Sequence, residues 1–180
     1  MKLVQAVLVL ALLAPASLYA QIDEFGVKAA FVRNFVAFVD WPPGRLDASG
    51  TLLICVFNDS PITPRLAALG EPIRGHRVQV RGVASLPDLG GCHAVFVPAG
   101  DRMHIADIRA RYGGGGVLTI AEGTGERSGA VIDMFVSGSR MTFDVDLTAA
   151  EEQGVRVSSK LLALAHAVHG GAATGPARQP

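Results

Sequence analysis

The chain alternates short, unbroken apolar runs with helix-length segments, and that alternation leaves few folds open. Thr51 to Phe57 reads TLLICVF, with no polar residue after the first position. A run of this length, rich in strand formers and apolar at both parities, is a strand buried on both faces. Ala94 to Val97 and Val117 to Ala121 are further runs of this kind. Val78 to Val83 alternates instead, as a strand with one face toward water does. Between these strands, Ile62 to Leu69 fits a short helix ended by Gly70, and Met103 to Tyr112 a helix stopped by Gly113 to Gly116.

Both flanks extend the pattern. Asp23 to Trp41 reads as the first helix, with Asp23 at its cap and Pro42-Pro43 at its stop. On a helical wheel Val27, Phe31, Val32, Phe35, Val36, Phe38 and Val39 form one wide apolar face for the core. Ala29, Ala30, Arg33, Ala37 and Asp40 fall on the opposite side, which suits close approach to another surface. Lys28 lies inside the apolar arc, in the first turn, where its stem can carry the ammonium out to water. Near the other end, Ile132, Met134 and Val136 alternate against Met141, Phe143 and Val145 across a Ser137-Gly138-Ser139 turn, which reads as a hairpin. Leu147 to Gln153 is a short helix ended by Gly154, and Ser158 opens a last helix with Leu161, Leu164, Ala165 and Val168 on one face. The expected fold is α/β: a single compact domain with a mixed β-sheet flanked by helices, part parallel, and a C-terminal β-hairpin at its edge followed by helices. A chain of 180 residues is long enough for one such core.

The start of the chain is of a different kind. Met1-Lys2 is basic, Val4 to Leu13 is apolar, and small residues with Pro15 follow. That is the layout of a secretory signal peptide, and it is shorter than the roughly 20 apolar residues that span a bilayer. Cleavage after Ala20 leaves Gln21 as the new start, while cleavage after Ala16 satisfies the small-x-small rule through Ala14 and Ala16. The expected organisation is a signal peptide over 1–20, the folded domain over 21–169, and a disordered tail of Gly, Ala, Pro and polar residues over 170–180. The mature protein is expected to be exported and not to span the membrane.

Formal net charge is zero and no Lys/Arg cluster stands out, which argues against nucleic acid as a partner. Motifs that carry chemistry are missing. There is no P-loop, because Gly113 to Gly116 lack a following Lys-Ser/Thr and precede a strand; they read as a flexible loop. There is no G-x-S-x-G, H-E-x-x-H or C-x-x-C. His166 and His169 are spaced to share a metal on a helix, but the wheel turns them off the core face and toward solvent. Asp144 and Asp146, with Asp133 on the opposing strand, gather carboxylates on one sheet face, read as solvent-exposed. His93 neighbours Cys92, but adjacent strand residues point to opposite faces, so it is poorly placed to activate that thiol. No catalytic, cofactor-binding or metal residue is assigned, and a binding role is expected over an enzymatic one. Cys55 and Cys92 both follow the signal peptide. In an oxidising compartment an even pair reads as a structural disulfide, worth roughly 3–4 kcal/mol by loop entropy. The alternative is two free thiols buried in two strands.

Several segments resemble one known family. Val27-Lys28-Ala29-Ala30-Phe31, continuing through Phe35 to Asp40-Trp41-Pro42, resembles the opening helix of the YfiR family. In order, Leu53 to Val56, Cys92 to Val97, Val117 to Ile120, the hairpin from Ile132 to Phe143, and Val157-Ser158-Ser159-Lys160-Leu161-Leu162 resemble its later motifs. The resemblance implies a periplasmic regulatory protein without catalytic residues or cofactor. It implies repression of a membrane-bound diguanylate cyclase through that enzyme's periplasmic sensor region, and hence a role in cyclic-di-GMP signalling and biofilm control. A homodimer, relief by an outer-membrane lipoprotein and a family disulfide at Cys55 and Cys92 are implied with it. The alternatives are a binding component for another membrane receptor, such as a histidine kinase, and a small hydrolase with a dispersed site. The first or last helix is the expected partner surface, because the first carries more apolar surface than one core face needs.

Overall fold

The computed structural model describes residues 23–46, 50–58 and 60–171. The expected signal peptide lies outside the described residues, as does the expected tail from 172 onward. In chain order the elements are α1 (Glu24–Ala37), β1 (Val39–Asp40), β2 (Thr51–Phe57), α2 (Ile62–Ala68), β3 (Arg77–Val83), β4 (Ala94–Val97), α3 (Ile105–Tyr112) and β5 (Leu118–Glu122). They continue with β6 (Ile132–Ser137), β7 (Arg140–Asp146), α4 (Leu147–Gln153), β8 (Arg156–Val157), α5 (Ser159–Leu162) and β9 (Ala167–His169). Short 3-10 segments cover Leu86–Leu89 and Ala99–His104, so the third helix starts two residues later than its pattern suggests.

Seven strands form one sheet in the order β3-β2-β4-β5-β6-β7-β9. From β3 to β6 all neighbours are parallel; β7 returns antiparallel to β6, and β9 lies parallel to β7. The two faces of the sheet carry two separate apolar clusters. One joins Leu52, Ile54, Val56, Phe96 and Ile120 to Val32, Phe35 and Val36 of α1, Ile62 and Leu66 of α2, Ala149 and Ala150 of α4, and Leu161 of α5. The other joins Cys55, Phe57, Val95, Val97 and Ala121 to Leu89, Ile105 and Ile108. Strands buried on both faces need no polar alternation, which is why β2 and β4 read as unbroken apolar runs. The hairpin register pairs Ile132 with Val145, Met134 with Phe143 and Val136 with Met141, as the alternation implies.

Four expectations are corrected. First, α1 stops at Ala37, because Val39–Asp40 pair antiparallel with Val157–Arg156. Its buried face holds Lys28, Ala29, Val32, Phe35 and Val36, so Ala29 is in the core while Phe38 is 37% exposed. Side-chain size alone draws the wide arc, whereas the small Ala29 lets the helix approach the sheet closely. Second, the Lys28 ammonium does not reach bulk water: it is buried between Glu24 and Glu122. Third, the last helix is a single turn, capped by Ser158, whose side chain accepts from the Leu161 N–H. The chain then runs on as β9, which takes the outer edge of β7, so the hairpin is not the sheet's edge. A short helix is marginal by itself, while a free strand edge offers ladder hydrogen bonds to the same residues. Fourth, Gly113 to Gly116 are not a loose loop: Gly114 and Gly116 donate their N–H groups to the carbonyls of Glu152 and Gln153.

Candidate functional site

An apolar groove opens where α1, β7 and the segment after α5 meet. Phe31, Phe35 and Phe38 come from α1, Met141, Thr142 and Phe143 from β7, and Leu161 and Leu164 from the last turn and its exit. Asn34 is the other lining residue, and the space is about 370 Å³. Phe35 anchors the floor. Its ring meets Phe143 edge-on at 4.8 Å and Phe31 at 5.8 Å, both tilted arrangements that aromatic quadrupoles favour. The walls are less covered: Phe38 is 37% and Leu164 70% exposed. Val136, cross-strand from Met141, is 56% exposed. Apolar side chains at these exposures cost free energy in water and are recovered when a partner covers them. The helix exit that positions Leu164 follows from the one-turn α5. The sequence wheel placed Leu164 in a core stripe instead, and so missed it as a surface residue.

On the opposite face of β6 and β7, Asp133, Asp144 and Asp146 are together, but buried rather than solvent-exposed. The correction has a clear cause: the 123–130 loop folds over this face. Ser128 donates from N–H and Oγ to Asp133 (3.1 and 2.5 Å), and Arg127 reaches Asp146 at 3.3 Å. Gly125, at φ +91°, passes so close to the Phe135 ring that a Cβ would lie 3.4 Å from it. His166 and His169 face outward, 57% and 31% exposed, and both meet Asp144, at 3.0 and 3.4 Å. Burial pushes the Asp133 carboxyl above its ordinary range; hydrogen bonds from Ser128 and the charge of Arg102 oppose the rise, and Asp144 adds to it. Among the described residues, no group of three or more His, Cys, Asp or Glu is arranged to hold a metal ion.

Cys55 of β2 and Cys92, just before β4, are joined as a disulfide with a Cα–Cα distance of 5.9 Å. His93, its neighbour, has a scaffolding arrangement. The Leu53 N–H donates to its Nδ1 (3.0 Å), which places the ring proton on Nε2, 3.0 Å from the carbonyl of Arg45. The Trp41 indole donates to the His93 carbonyl at 3.1 Å, and the Arg45 guanidinium to the Cys92 carbonyl. The Asp40-Trp41-Pro42 motif is thereby tied to the edge of β4. No nucleophile and base are brought together here.

The groove, the flanking helices and the mixed sheet make an α/β domain with an apolar recess beside its first helix. The family model described as YfiR/HmsC-like matches residues 25–166, and the chain belongs to that family. The family is periplasmic and regulatory. No helix among the described residues is long and apolar enough to cross a membrane.

Proposed function

We propose that this protein is a periplasmic regulator that represses a membrane-bound diguanylate cyclase by docking on its periplasmic sensor region, lowering cyclic-di-GMP and biofilm formation. The observation that carries this reading is the aromatic groove with its exposed Phe38 and Leu164, on a chain of a regulatory family. Interface energy concentrates in a few apolar anchors seated in pockets, and this groove has the size and composition to receive one. Export by the N-terminal segment, assembly as a homodimer and relief by an outer-membrane lipoprotein belong to the same reading. The Cys55–Cys92 bridge braces β2 against β4 and has no catalytic part in it.

Phe38→Asp and Leu164→Asp test it. Each places a charge at the groove wall while leaving the core intact. Binding of the purified sensor region is expected to weaken by tenfold or more, and cyclic-di-GMP in cells carrying the variant to rise to the deletion level. Undiminished binding and unchanged cyclic-di-GMP in both variants would remove the groove from the mechanism.

A further inference from the structure

The sheet ends at β3 with no strand beyond it among the described residues. Which backbone groups are left open follows from two hydrogen bonds. The Arg77 N–H donates to the Gly50 carbonyl (2.5 Å), and the Val83 carbonyl accepts from the Asn58 N–H (2.7 Å), so both residues turn their polar groups toward β2. In an extended strand the direction alternates residue by residue. Gln79 and Arg81 therefore also face β2, while Val78, Val80 and Gly82 direct N–H and C=O outward. An edge of this kind templates strand addition unless it is blunted by proline, a bulge, a covering element or charged side chains; the charges on β3 are both positive, which works against a like-charged strand and not against an oppositely charged one. β3 spans seven residues, RVQVRGV, with no proline.

The side chains specify what can be added. Arg77 and Arg81 lie on one face of β3, both exposed, and neither has a carboxylate partner among the described residues. The Arg81 guanidinium rests on the backbone carbonyls of Asp88 (2.8 Å) and Gly90 (3.1 Å), its charge uncompensated. Beside the strand's end an open hollow of about 540 Å³ runs from Arg81 to Gly90. A second copy is a poor occupant. Antiparallel self-pairing centred on Val80 sets Arg81 opposite Gln79 of the other copy and brings its two arginines to the diagonal positions, within reach of like-charge repulsion.

We infer that the outer edge of β3 is a strand-addition site for an extended, acidic segment of a protein partner, with alternate carboxylates pairing Arg77 and Arg81. The site is separate from the aromatic groove and does not depend on the groove's role. Main-chain hydrogen bonds to Val78, Val80 and Gly82 would hold the segment, and the two arginines would select it.

The test uses the full chain and a short acetylated peptide alternating glutamate with valine, beside the same peptide with lysine for glutamate. Amide exchange is expected to slow at Val78, Val80 and Gly82 with the acidic peptide and to stay unchanged with the basic one. Val80→Pro removes an outward N–H while leaving the ladder to β2, and should weaken acidic-peptide binding by about fivefold or more. Val80→Thr keeps the N–H and should bind as the parent does, which separates edge chemistry from lost packing. Arg77→Glu with Arg81→Glu should invert the preference between the peptides. Absence of acidic-peptide binding, equal binding of both peptides, or full binding by Val80→Pro would overturn the inference. So would protection of the three amides by self-association alone.

Discussion

Asp133 and Asp144 face each other across the β6–β7 ladder, directly paired in register and both buried. Like charges opposite one another on a sheet repel, and burial removes the water that would screen them. Asp133 resolves this by holding its proton more tightly than an ordinary carboxyl, with burial as the leading cause. Its folded value is raised above the unfolded one. The native state therefore binds more protons through that window, and stability falls as pH rises from the ordinary aspartate value through the raised one. Asp133→Asn keeps an acceptor for the Ser128 N–H and a donor for its Oγ, but cannot ionise. Its melting temperature should match the parent's in acid and exceed it at neutral pH. Thermal melts across pH 4 to 8, roughly the carboxyl-to-neutral range, check this; a difference that does not change with pH would mean that Asp133 holds its proton no more tightly in the folded state than in the unfolded one.

Lys28 and Glu122 make the opposite kind of buried contact. Burial works against the Lys28 ammonium, but hydrogen bonds to Glu122 and Glu24 and their charges outweigh it, so its proton is held above the usual lysine value. Stability from this pair is then fully present below the ordinary lysine range and lost only in strong alkali. Leaving a buried charge without its partner is costly; Lys28 is the buried member, while Glu122 and Glu24, 24% and 64% exposed, can be hydrated once the ammonium is gone. Glu122→Gln should cost about 2 kcal/mol, less than for a fully enclosed pair because Glu24 remains. Lys28→Met should cost less than about 1 kcal/mol. Urea unfolding of the two variants gives the order, and a larger loss for Lys28→Met would contradict it.

The disulfide joins residues 37 apart in sequence, so its removal releases a long loop in the unfolded chain. Cys55→Ser with Cys92→Ser should lower unfolding free energy by roughly 3–4 kcal/mol. The folded sheet should persist, because His93 and Arg45 also tie the same strands together through Leu53 and Cys92 backbone groups. Denaturant midpoints with and without reductant, on parent and double variant, measure it. Reductant should shift the parent alone.

Much of this architecture is legible in residue order because its determinants are local. The unbroken apolarity of Leu52 to Phe57 reflects cover on both faces, and the alternation from Ile132 to Val145 carries the hairpin register. What is not legible depends on partners distant in sequence. Asp133 and Asp146 look solvated until Ser128 and Arg127 of a glycine-rich loop are laid against them, and Asp144 until His166 and His169 close on it. Leu161, Leu164 and Val168 fit a helical stripe equally well, yet the open edge of β7 draws Ala167–His169 into the ladder. The groove follows from that choice, because only a helix one turn long leaves Leu164 at its rim. Cys55 and Cys92 were separable from a free-thiol pair only by their geometry, since both states are buried.

The position of β9 rests on a close contact that a single methyl group would disturb. Gly170, directly after the strand, has φ +69°, and a Cβ there would lie 2.8 Å from the Thr148 backbone nitrogen and 2.2 Å from its Oγ1. The threonine side chain can rotate away, but the α4 backbone cannot, and the left-handed φ carries its own cost of about 1 kcal/mol for alanine. Gly170→Ala should loosen β9 from β7 rather than unfold the domain, because the strand is only three residues long and its docking is carried by His166, His169 and three register pairs. Amide exchange should quicken at Ala167 to His169 and at the facing residues of β7, while β2, β4 and β5 keep their protection. Exchange quickened uniformly across the sheet would mean instead that β9 is part of one cooperative unit.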